Sequence, residues 1–313
     1  MLSKIALIIL TVSLLAGFGC GGDDGSESGG QKNPAVPTTN QIANLTYSGV
    51  FDSPVTLSRG RYEGTPFAPE SASRPTLEWA ASLFALGDLT GDGDDDAAVL
   101  LVESSGGSGT RLYLAVVTIR DGEPVNVGTV LIGDRPQVRS LKIADANIWM
   151  DLVEQGPDDA ACCPTQLARK AWRLQNDTLT ESASQIEGTL SIEMLLGTEW
   201  VLTHTNIGEP APPEAEITME FLEGKITGSS GCNNYFAIIE ETSPGNVRMG
   251  PLASTRKACP EELEQIEYFH RLRASRVKTY WFFLGRLALS WRSPDGWNGT
   301  MLFVPRPPTP AAP

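Results

Sequence analysis

Short apolar runs, separated by Gly, Pro, Asn and Asp, fill residues 45–184. The clearest are Ala97–Glu103, Arg111–Arg120 and Val125–Ile132, whose length and β-branched content are typical of strands. Asp121–Gly122 separates the last two runs, and this pair of residues favours a tight hairpin turn. The pattern predicts a β-rich N-terminal domain.

The same pattern predicts further hairpins. Val138–Gln155 contains two apolar runs with Ala144–Asn147 as the turn, and Leu167–Gln175 ends at the turn-forming pair Asn176–Asp177. No segment of this region sustains a 3.6-residue period, although Leu77–Leu86 is compatible with a short helix. The topology of the domain does not follow from the pattern.

A second domain begins near Leu195, with seven strand-like runs and one helix. Pro260 suits the first helical position, and Glu261 and Glu262 favour the positive end of the helix dipole. An apolar stripe at three-residue spacing follows, formed by Leu263, Ile266, Phe269 and Leu272. We predict a curved antiparallel sheet or partial barrel with this helix packed against it. The predicted strands are Trp200–Thr203, Ile217–Leu222, Lys225–Ser230, Tyr235–Ile239, Tyr280–Leu284, Leu287–Trp291 and Met301–Val304.

The first 19 residues have the pattern of an export signal. Lys4 precedes the apolar run Ile5–Leu15, which is far shorter than the ~20 residues needed to cross a bilayer. Small residues follow and lead into Cys20, so the segment resembles a bacterial lipobox. We predict a signal peptide at residues 1–19 and a lipid anchor on Cys20, with ordinary cleavage after Gly19 as the alternative. Gly21, rather than Asp, favours an outer-membrane anchor facing the periplasm; the inner membrane and the cell surface are the alternatives.

Composition divides the remaining chain. Gly21–Asn40 is rich in Gly, Ser, Asp, Pro and Thr and has little apolar surface to bury, so residues 20–44 are predicted to be the lipidated Cys20 and a flexible tether. We predict the β-rich N-terminal domain at residues 45–190, the second domain at 191–305 and a Pro-rich tail at 306–313.

Acidic residues exceed basic ones throughout the chain. The formal net charge is -14, with 38 Asp and Glu against 24 Lys and Arg. No basic patch interrupts this balance, so nucleic acids and anionic lipid surfaces are poor partners. The predicted partners are the membrane, through the lipid anchor, and an envelope protein or ligand that the sequence does not identify.

Four motifs in the second domain occur in the order of a known family. They are Gly197–Trp200, Ile217–Phe221, Gly228–Tyr235 and Gly250–Pro260, and an acidic helix start and a closing hairpin follow. In this respect the segment resembles the META/HslJ-like family, although Lys257 stands where the family often has Met. The resemblance implies a small α+β half-barrel attached to envelope proteins. It also implies links to heat induction, novobiocin resistance and secretion, with no established catalytic residues.

The predicted fold class is therefore α+β and mainly β. It combines a β-rich N-terminal domain with a C-terminal META/HslJ-like half-barrel and one packed helix. The N-terminal domain resembles only segments of uncharacterised bacterial lipoproteins, on the basis of Gly87–Val99, Gly106–Val117 and Gly156–Thr165. That second resemblance implies no function.

An acidic loop precedes the first clear strand. Its oxygen-bearing residues occur at alternate positions around Gly93, as in calcium-binding loops, but the twelfth position is Val99, so it is not an EF-hand. The arrangement resembles the loops of integrin-type repeats, of which one copy is visible. The loop predicts a Ca²⁺ site, and the alternative is a solvated acidic turn. The candidate ligands are Asp88, Thr90, Asp92, Asp94 and Asp96.

Besides Cys20 the chain has four cysteines, an even number suited to an oxidising compartment. Cys162 and Cys163 are adjacent, so a bridge between them would be a strained turn or a redox switch; the alternative is two thiols paired otherwise or free. Cys232 and Cys259 coincide with the cysteines of the family pattern, and we predict a disulfide between them. The alternatives are two buried thiols, or a bridge from either residue to Cys162 or Cys163.

Few residues suggest catalysis. The two histidines, His204 and His270, have no partner motif and are predicted to be surface or boundary residues. The leading functional hypothesis is a non-catalytic envelope lipoprotein, acting as a binding or stress-support module. The second is a Ca²⁺-dependent ligand-binding lipoprotein that uses the acidic loop. The third is a carboxylate-based hydrolase in the N-terminal domain.

Overall fold

Antiparallel strands form most of the molecule. The computed structural model describes residues 35–69, 73–106, 109–160 and 162–307. These residues fall in one compact unit, Pro34–Pro313. Strands account for 56% and helices for 8%, which confirms the predicted mainly β fold. The predicted signal peptide and Cys20 lie outside the described residues.

A small N-terminal cap precedes the first large sheet. It consists of α1 (Thr39–Ile42), β1 (Thr46–Tyr47) and β2 (Val55–Thr56), and β1 pairs with β2. Thr38 caps α1 because its hydroxyl accepts the amide of Gln41 and the Gln41 side chain accepts the amide of Thr38. The Tyr47 hydroxyl donates to the Ile42 carbonyl at 3.0 Å inside the protein. The cap thereby covers one face of the sheet that follows. The prediction of a flexible tether over residues 20–44 is wrong for Thr39–Ile42, because this segment is a capped helix and Ile42 is buried in the core.

The first large sheet has five strands in sequence order, and its two strands over Asp96–Ser104 and Arg111–Arg120 are buried on both faces. Ala97, Val99 and Leu101 pack under the N-terminal cap, whereas Ala98 and Leu100 point to the opposite face. Two-sided burial is why these two strands appear in the sequence as continuous apolar runs rather than as alternating ones. The strands are β3 (Arg61–Glu63), β4 (Thr76–Gly87), β5 (Asp96–Ser104), β6 (Arg111–Arg120) and β7 (Glu123–Asp134).

The short helix considered for Leu77–Leu86 is wrong, since this segment is strand β4. Its alanines favour a helix locally, but β3 and β5 provide partners on both sides, and tertiary pairing overrides propensity. Trp79 pairs with Leu101 and Phe84 pairs with Val99, so the four residues 80–83 stand opposite Leu100 and form an irregular β-bulge. The bulge breaks the two-residue period, which explains why the pattern was ambiguous here.

A second sheet of four strands packs on the first through Ile148, Met150 and Leu152. The hairpin predicted at Asn176–Asp177 is confirmed, and both residues have positive φ, 48° and 62°. Two consecutive positive φ angles match the right-handed twist of the flanking strands. The two sheets form a sandwich. The strands are β8 (Gln137–Ala144), β9 (Asn147–Glu154), β10 (Gln166–Gln175) and β11 (Thr178–Thr189).

The C-terminal strands form a closed eight-stranded barrel rather than the predicted partial one. A short 3₁₀ helix, Ile192–Leu195, leads into it. Gly228 is required in the wall, because a Cβ there would lie 2.1 Å from the Thr218 carbonyl oxygen. The strands are β12 (Glu199–Asn206), β13 (Glu209–Pro210), β14 (Thr218–Leu222), β15 (Lys225–Ser229), β16 (Asn234–Ser243), β17 (Asn246–Met249), β18 (Ala253–Ser254), β19 (Val277–Phe283), β20 (Arg286–Arg292) and β21 (Asn298–Pro305).

Closure occurs where β12 pairs with β14 on one side and with β21 on the other. Strands β13 and β18 pair at the margins of the barrel and lie outside the closed ring. The core of the barrel also receives Val153 and Leu190 from the sandwich side. The division into domains near residue 190 stays a prediction.

Helix α2 (Glu261–Ala274) packs beside the barrel. Pro260 is its N-cap and not its first helical residue. The predicted apolar stripe is wrong in part, because Phe269 is half exposed. The buried positions include Glu267, His270 and Ala274, so polar side chains form much of the inner face.

Candidate functional site

A large cleft opens where the sandwich meets the barrel. Its volume is about 800 Å³, within the range of small-molecule sites. One wall comes from the β4 bulge and the start of β8, and the opposite wall comes from the end of β19. Most of the lining is apolar; it includes Ala80, Leu112, Val138, Leu190, Phe282 and Leu284.

Direct contacts hold the two walls of this junction cleft together. The Phe282 amide donates to Gln137 Oε1 at 2.9 Å, and the Gly285 amide donates to the Val138 carbonyl at 2.9 Å. The Arg139 guanidinium lies 5.5 Å from the centre of the Phe282 ring. Because these contacts join β8 to the β19–β20 hairpin, the walls are fixed relative to each other. A preformed cleft of this kind loses little entropy when it binds a ligand.

The two adjacent cysteines lie on the rim of the junction cleft. Cys162 and Cys163 are disulfide-bonded, with their Cα atoms 3.8 Å apart, and both side chains are exposed. Asp159 holds the surrounding loop, because its carboxylate accepts the amides of Gly156 at 2.7 Å and Thr165 at 2.6 Å. Of the alternatives open from the sequence, the vicinal bridge is the one present. It adds an apolar sulfur surface to the cleft.

The structure has the predicted Cys232–Cys259 disulfide, with a Cα–Cα distance of 6.2 Å. It connects the end of the β15–β16 turn to the start of α2. Beside it, Asn233 Nδ2 donates to the buried Glu267 carboxylate at 2.9 Å. Asn233 Oδ1 accepts the Lys257 amide at 2.7 Å. The bridge and this buried network together fix the helix against the barrel.

Cys232, Cys259 and Glu267 also form a group of three donor atoms within 4.8 Å of one another. Among the described residues no other group of three His, Cys, Asp or Glu donors meets that distance. The two sulfurs are bonded to each other and are not thiolates. For that reason we assign no metal to this group.

In the acidic loop, carboxylates accept hydrogen bonds from the loop's own backbone. Asp88 accepts the amides of Gly91 and Gly93 at 2.6 and 3.1 Å. Asp96 Oδ2 accepts the amides of Leu89 and Thr90 at 2.8 and 3.1 Å, and burial raises the pKa of Asp96.

The other two carboxylates among the candidate ligands also accept hydrogen bonds. Asp92 accepts the Asp94 amide at 2.9 Å, and Asp94 accepts the Ala35 amide at 2.8 Å. No three carboxylates of this loop bring one oxygen atom each within 4.8 Å of one another. A Ca²⁺ site formed by Asp88, Thr90, Asp92, Asp94 and Asp96 stays a prediction.

The sequence placed His270 at the surface or boundary, and this prediction is wrong. His270 is 2% exposed and lies on the inner face of α2, near the ring of Tyr235. Burial lowers the pKa of its imidazole to about 3, with a further contribution from Arg273. His204 is partly buried, and its Nδ1 lies 3.1 Å from the Thr203 hydroxyl.

The junction cleft itself was not predicted from the sequence. Its walls come from Ala80 in β4, Val138 in β8 and Phe282 in β19, which are far apart along the chain. Only the topology brings them together. Within the described residues, no helix is both long enough and apolar enough to cross a membrane.

Of three comparisons with known proteins, the one with family models assigns residues 193–293. No curated protein matches the chain. Among solved structures, the chain is similar to one titled the NMR structure of the protein from Burkholderia xenovorans. The two are 21% identical, the match covers 36% of this chain and 84% of that chain, and the TM-score is 0.29. Residues 193–293 match the family model of the META domain, from the 3₁₀ helix to the end of β20. The C-terminal part of this chain is therefore a META domain.

Proposed function

We propose that the chain is a non-catalytic envelope lipoprotein that binds an uncharged apolar small molecule in the junction cleft. The observation that carries the proposal is the cleft itself, with a volume of about 800 Å³ and mostly apolar walls. Covering such walls lowers the free energy of the system by roughly 25 cal/mol per Å² of apolar surface removed from water. A ligand that covers the cleft needs few polar contacts to bind.

The presence of a META domain supports a role as a stress-related module of the envelope. This domain also forms one wall of the cleft. In this proposal the bound molecule links the N-terminal sandwich to the META domain. Heat or antibiotic tolerance and envelope integrity are then the cellular roles that fit. The acidic net charge of -14 suits a body that stands off an anionic membrane surface rather than one that lies on it.

A substitution that fills the junction cleft tests the binding function. Ala81 lines the cleft and is exposed, so Ala81→Trp places an indole in the cleft without disturbing the core. We expect the affinity of the purified full chain for N-phenyl-1-naphthylamine, measured by isothermal titration, to fall at least about tenfold. That loss corresponds to about 1.4 kcal/mol.

The matched control is Ala253→Trp, which adds the same side chain at an exposed position on β18. This control is expected to bind the probe as the unchanged protein does. Equal affinity in all three proteins would exclude the junction cleft as the binding site.

The lipid anchor is tested by Cys20→Ser. Loss of the thiol removes the attachment point for acyl chains, and two or more chains are needed for stable anchoring. We expect the Cys20→Ser protein to move from the membrane fraction to the soluble fraction, or to remain unprocessed. Normal processing with unchanged detergent partitioning would contradict the proposal.

A further inference from the structure

A second cavity lies between helix α2 and the mouth of the barrel. Its volume is about 680 Å³, and none of its lining residues lines the junction cleft. Leu202 from β12, Met301 from β21 and Ile266 from α2 contribute apolar walls. The exposed residues of its lining are Glu214, Glu262, Gln265 and Phe269. The cavity is therefore apolar on its sides and open to water at one end.

His270 is an unpartnered polar group in this cavity. It is 2% exposed, and neither ring nitrogen has a hydrogen-bond partner. Buried polar atoms in native proteins are nearly always paired with protein, water or ligand. Its pKa is lowered to about 3, chiefly by burial, so the ring is neutral near pH 7. A neutral imidazole offers one N–H donor and one acceptor.

Arg273 also lines the cavity, one helical turn after His270, so both side chains share a face of α2. Its guanidinium lies 5.8 Å from the centre of the Trp291 ring, which supports one of its faces. Arg273 is partly buried and forms no ion pair with any described carboxylate within 4 Å. Burial lowers its pKa, whereas the more distant Glu209 raises it. The lining of the cavity thus includes a partly buried positive charge with no described carboxylate within 4 Å.

We propose that this cavity binds an amphiphilic carboxylate, a molecule with one carboxylate group and an apolar body. The carboxylate pairs with Arg273 and accepts the N–H of His270, while the apolar body lies along Leu202, Ile266 and Met301. Ion pairing and hydrogen bonding by charged groups strengthen where water is excluded. Glu214 and Glu262 are exposed, so solvent screens their repulsion of the anion. This site does not depend on the junction cleft.

Three eight-carbon probes test the ligand class on the full chain. They are octanoate, octan-1-ol and octylammonium, and isothermal titration near pH 7.5 measures their affinities. We expect octanoate to bind at least about tenfold more tightly than either of the others. Equal affinities, or a preference for octylammonium governed by the exposed glutamates, would overturn the proposal.

Variants of Arg273 locate the charge that selects the anion. Arg273→Met should weaken octanoate binding at least about tenfold and leave octan-1-ol within about twofold. Arg273→Lys keeps the charge and should retain most of the preference, provided both variants give the melting curve of the unchanged protein. The control is Arg248→Met, at an exposed arginine paired with Glu240 on the outside of the barrel. Octanoate binding that survives Arg273→Met overturns the assignment.

Two further variants separate this site from its alternatives. His270→Gln keeps a donor and an acceptor and should bind octanoate more tightly than His270→Leu, which keeps neither. Ala81→Trp fills the junction cleft and should leave octanoate binding unchanged. If Ala81→Trp abolishes octanoate binding instead, the ligand occupies the junction cleft and the second site is wrong.

Discussion

Removing the Cys232–Cys259 disulfide is expected to lower the free energy of unfolding by about 3.5 kcal/mol. The two cysteines are 27 residues apart. The value of about 3.5 kcal/mol is the entropic contribution of a cross-link that closes a loop of this length in the unfolded chain. Removing the bridge also destabilises the folded state, because the bridge positions Asn233 to donate a hydrogen bond to Glu267. A buried carboxylate that loses its donor adds to the cost. Urea unfolding of the Cys232→Ser, Cys259→Ser double variant measures the change.

The matched control is the Cys162→Ser, Cys163→Ser double variant. That bridge joins adjacent residues and closes almost no loop, so its chain-entropy contribution is small. We expect a loss below about 1 kcal/mol in the control, since both side chains are exposed. Similar losses in the two double variants would show that the cross-link between the β15–β16 turn and α2 is not what stabilises the META domain.

Acidification is expected to destabilise the protein through His270. Its pKa is about 3 when folded and 6.5 in an unperturbed state, so between these values the unfolded chain binds a proton that the folded protein does not. The contribution of the neutral His270 to the free energy of unfolding is therefore fully present above pH 6.5, and it is lost as the pH falls towards 3. At pH 4.5, two pH units below 6.5, protonation of this residue in the unfolded chain lowers the free energy of unfolding by about 2.7 kcal/mol, because each pH unit contributes about 1.36 kcal/mol.

The His270→Gln variant isolates this contribution, because glutamine does not titrate. Carboxylates titrate in the same window, so the quantity to compare is the difference between the two proteins at pH 7.5 and at pH 4.5. We expect the unchanged protein to lose more stability than the variant over that interval, by urea unfolding. His204→Gln is the control: His204 also has a pKa lowered by burial and by Arg286, but it is only partly buried. Parallel pH profiles for His270→Gln and the unchanged protein would contradict the account.

The strands were predictable where the local signal and the final environment agreed. Asp121–Gly122 and Asn176–Asp177 adopt the positive φ angles that such pairs favour, so their hairpins were evident from sequence. Ala97–Leu101 is apolar without interruption because both faces of its sheet are covered. The family motifs Gly228–Tyr235 and Gly250–Pro260 likewise lie in the barrel and at the start of α2, as the resemblance implied.

The junction cleft and the cavity beside α2 were not predictable from the sequence, and the physical reason differs between them. The inner face of α2 includes the buried polar residues Glu267 and His270. The spacing of hydrophobic residues along the sequence cannot identify buried positions that are polar. The β4 bulge interrupts the alternation of its own strand, which hid the element that lines the junction cleft. Cavity walls drawn from β4, β8 and β19 depend on long-range topology, which no local pattern encodes.

Closure of the barrel has a consequence for how the chain acquires its structure. Strand β12 needs β21 as a neighbour, and Trp200 pairs with Pro305 across more than a hundred intervening residues. A contact of such sequence separation forms late, because the chain must lose loop entropy before the pairing stabilises it. A ribosome must therefore synthesise the chain at least as far as Pro305 before the ring can close. Until then β12 presents an open edge to other proteins, a hazard that the finished ring removes.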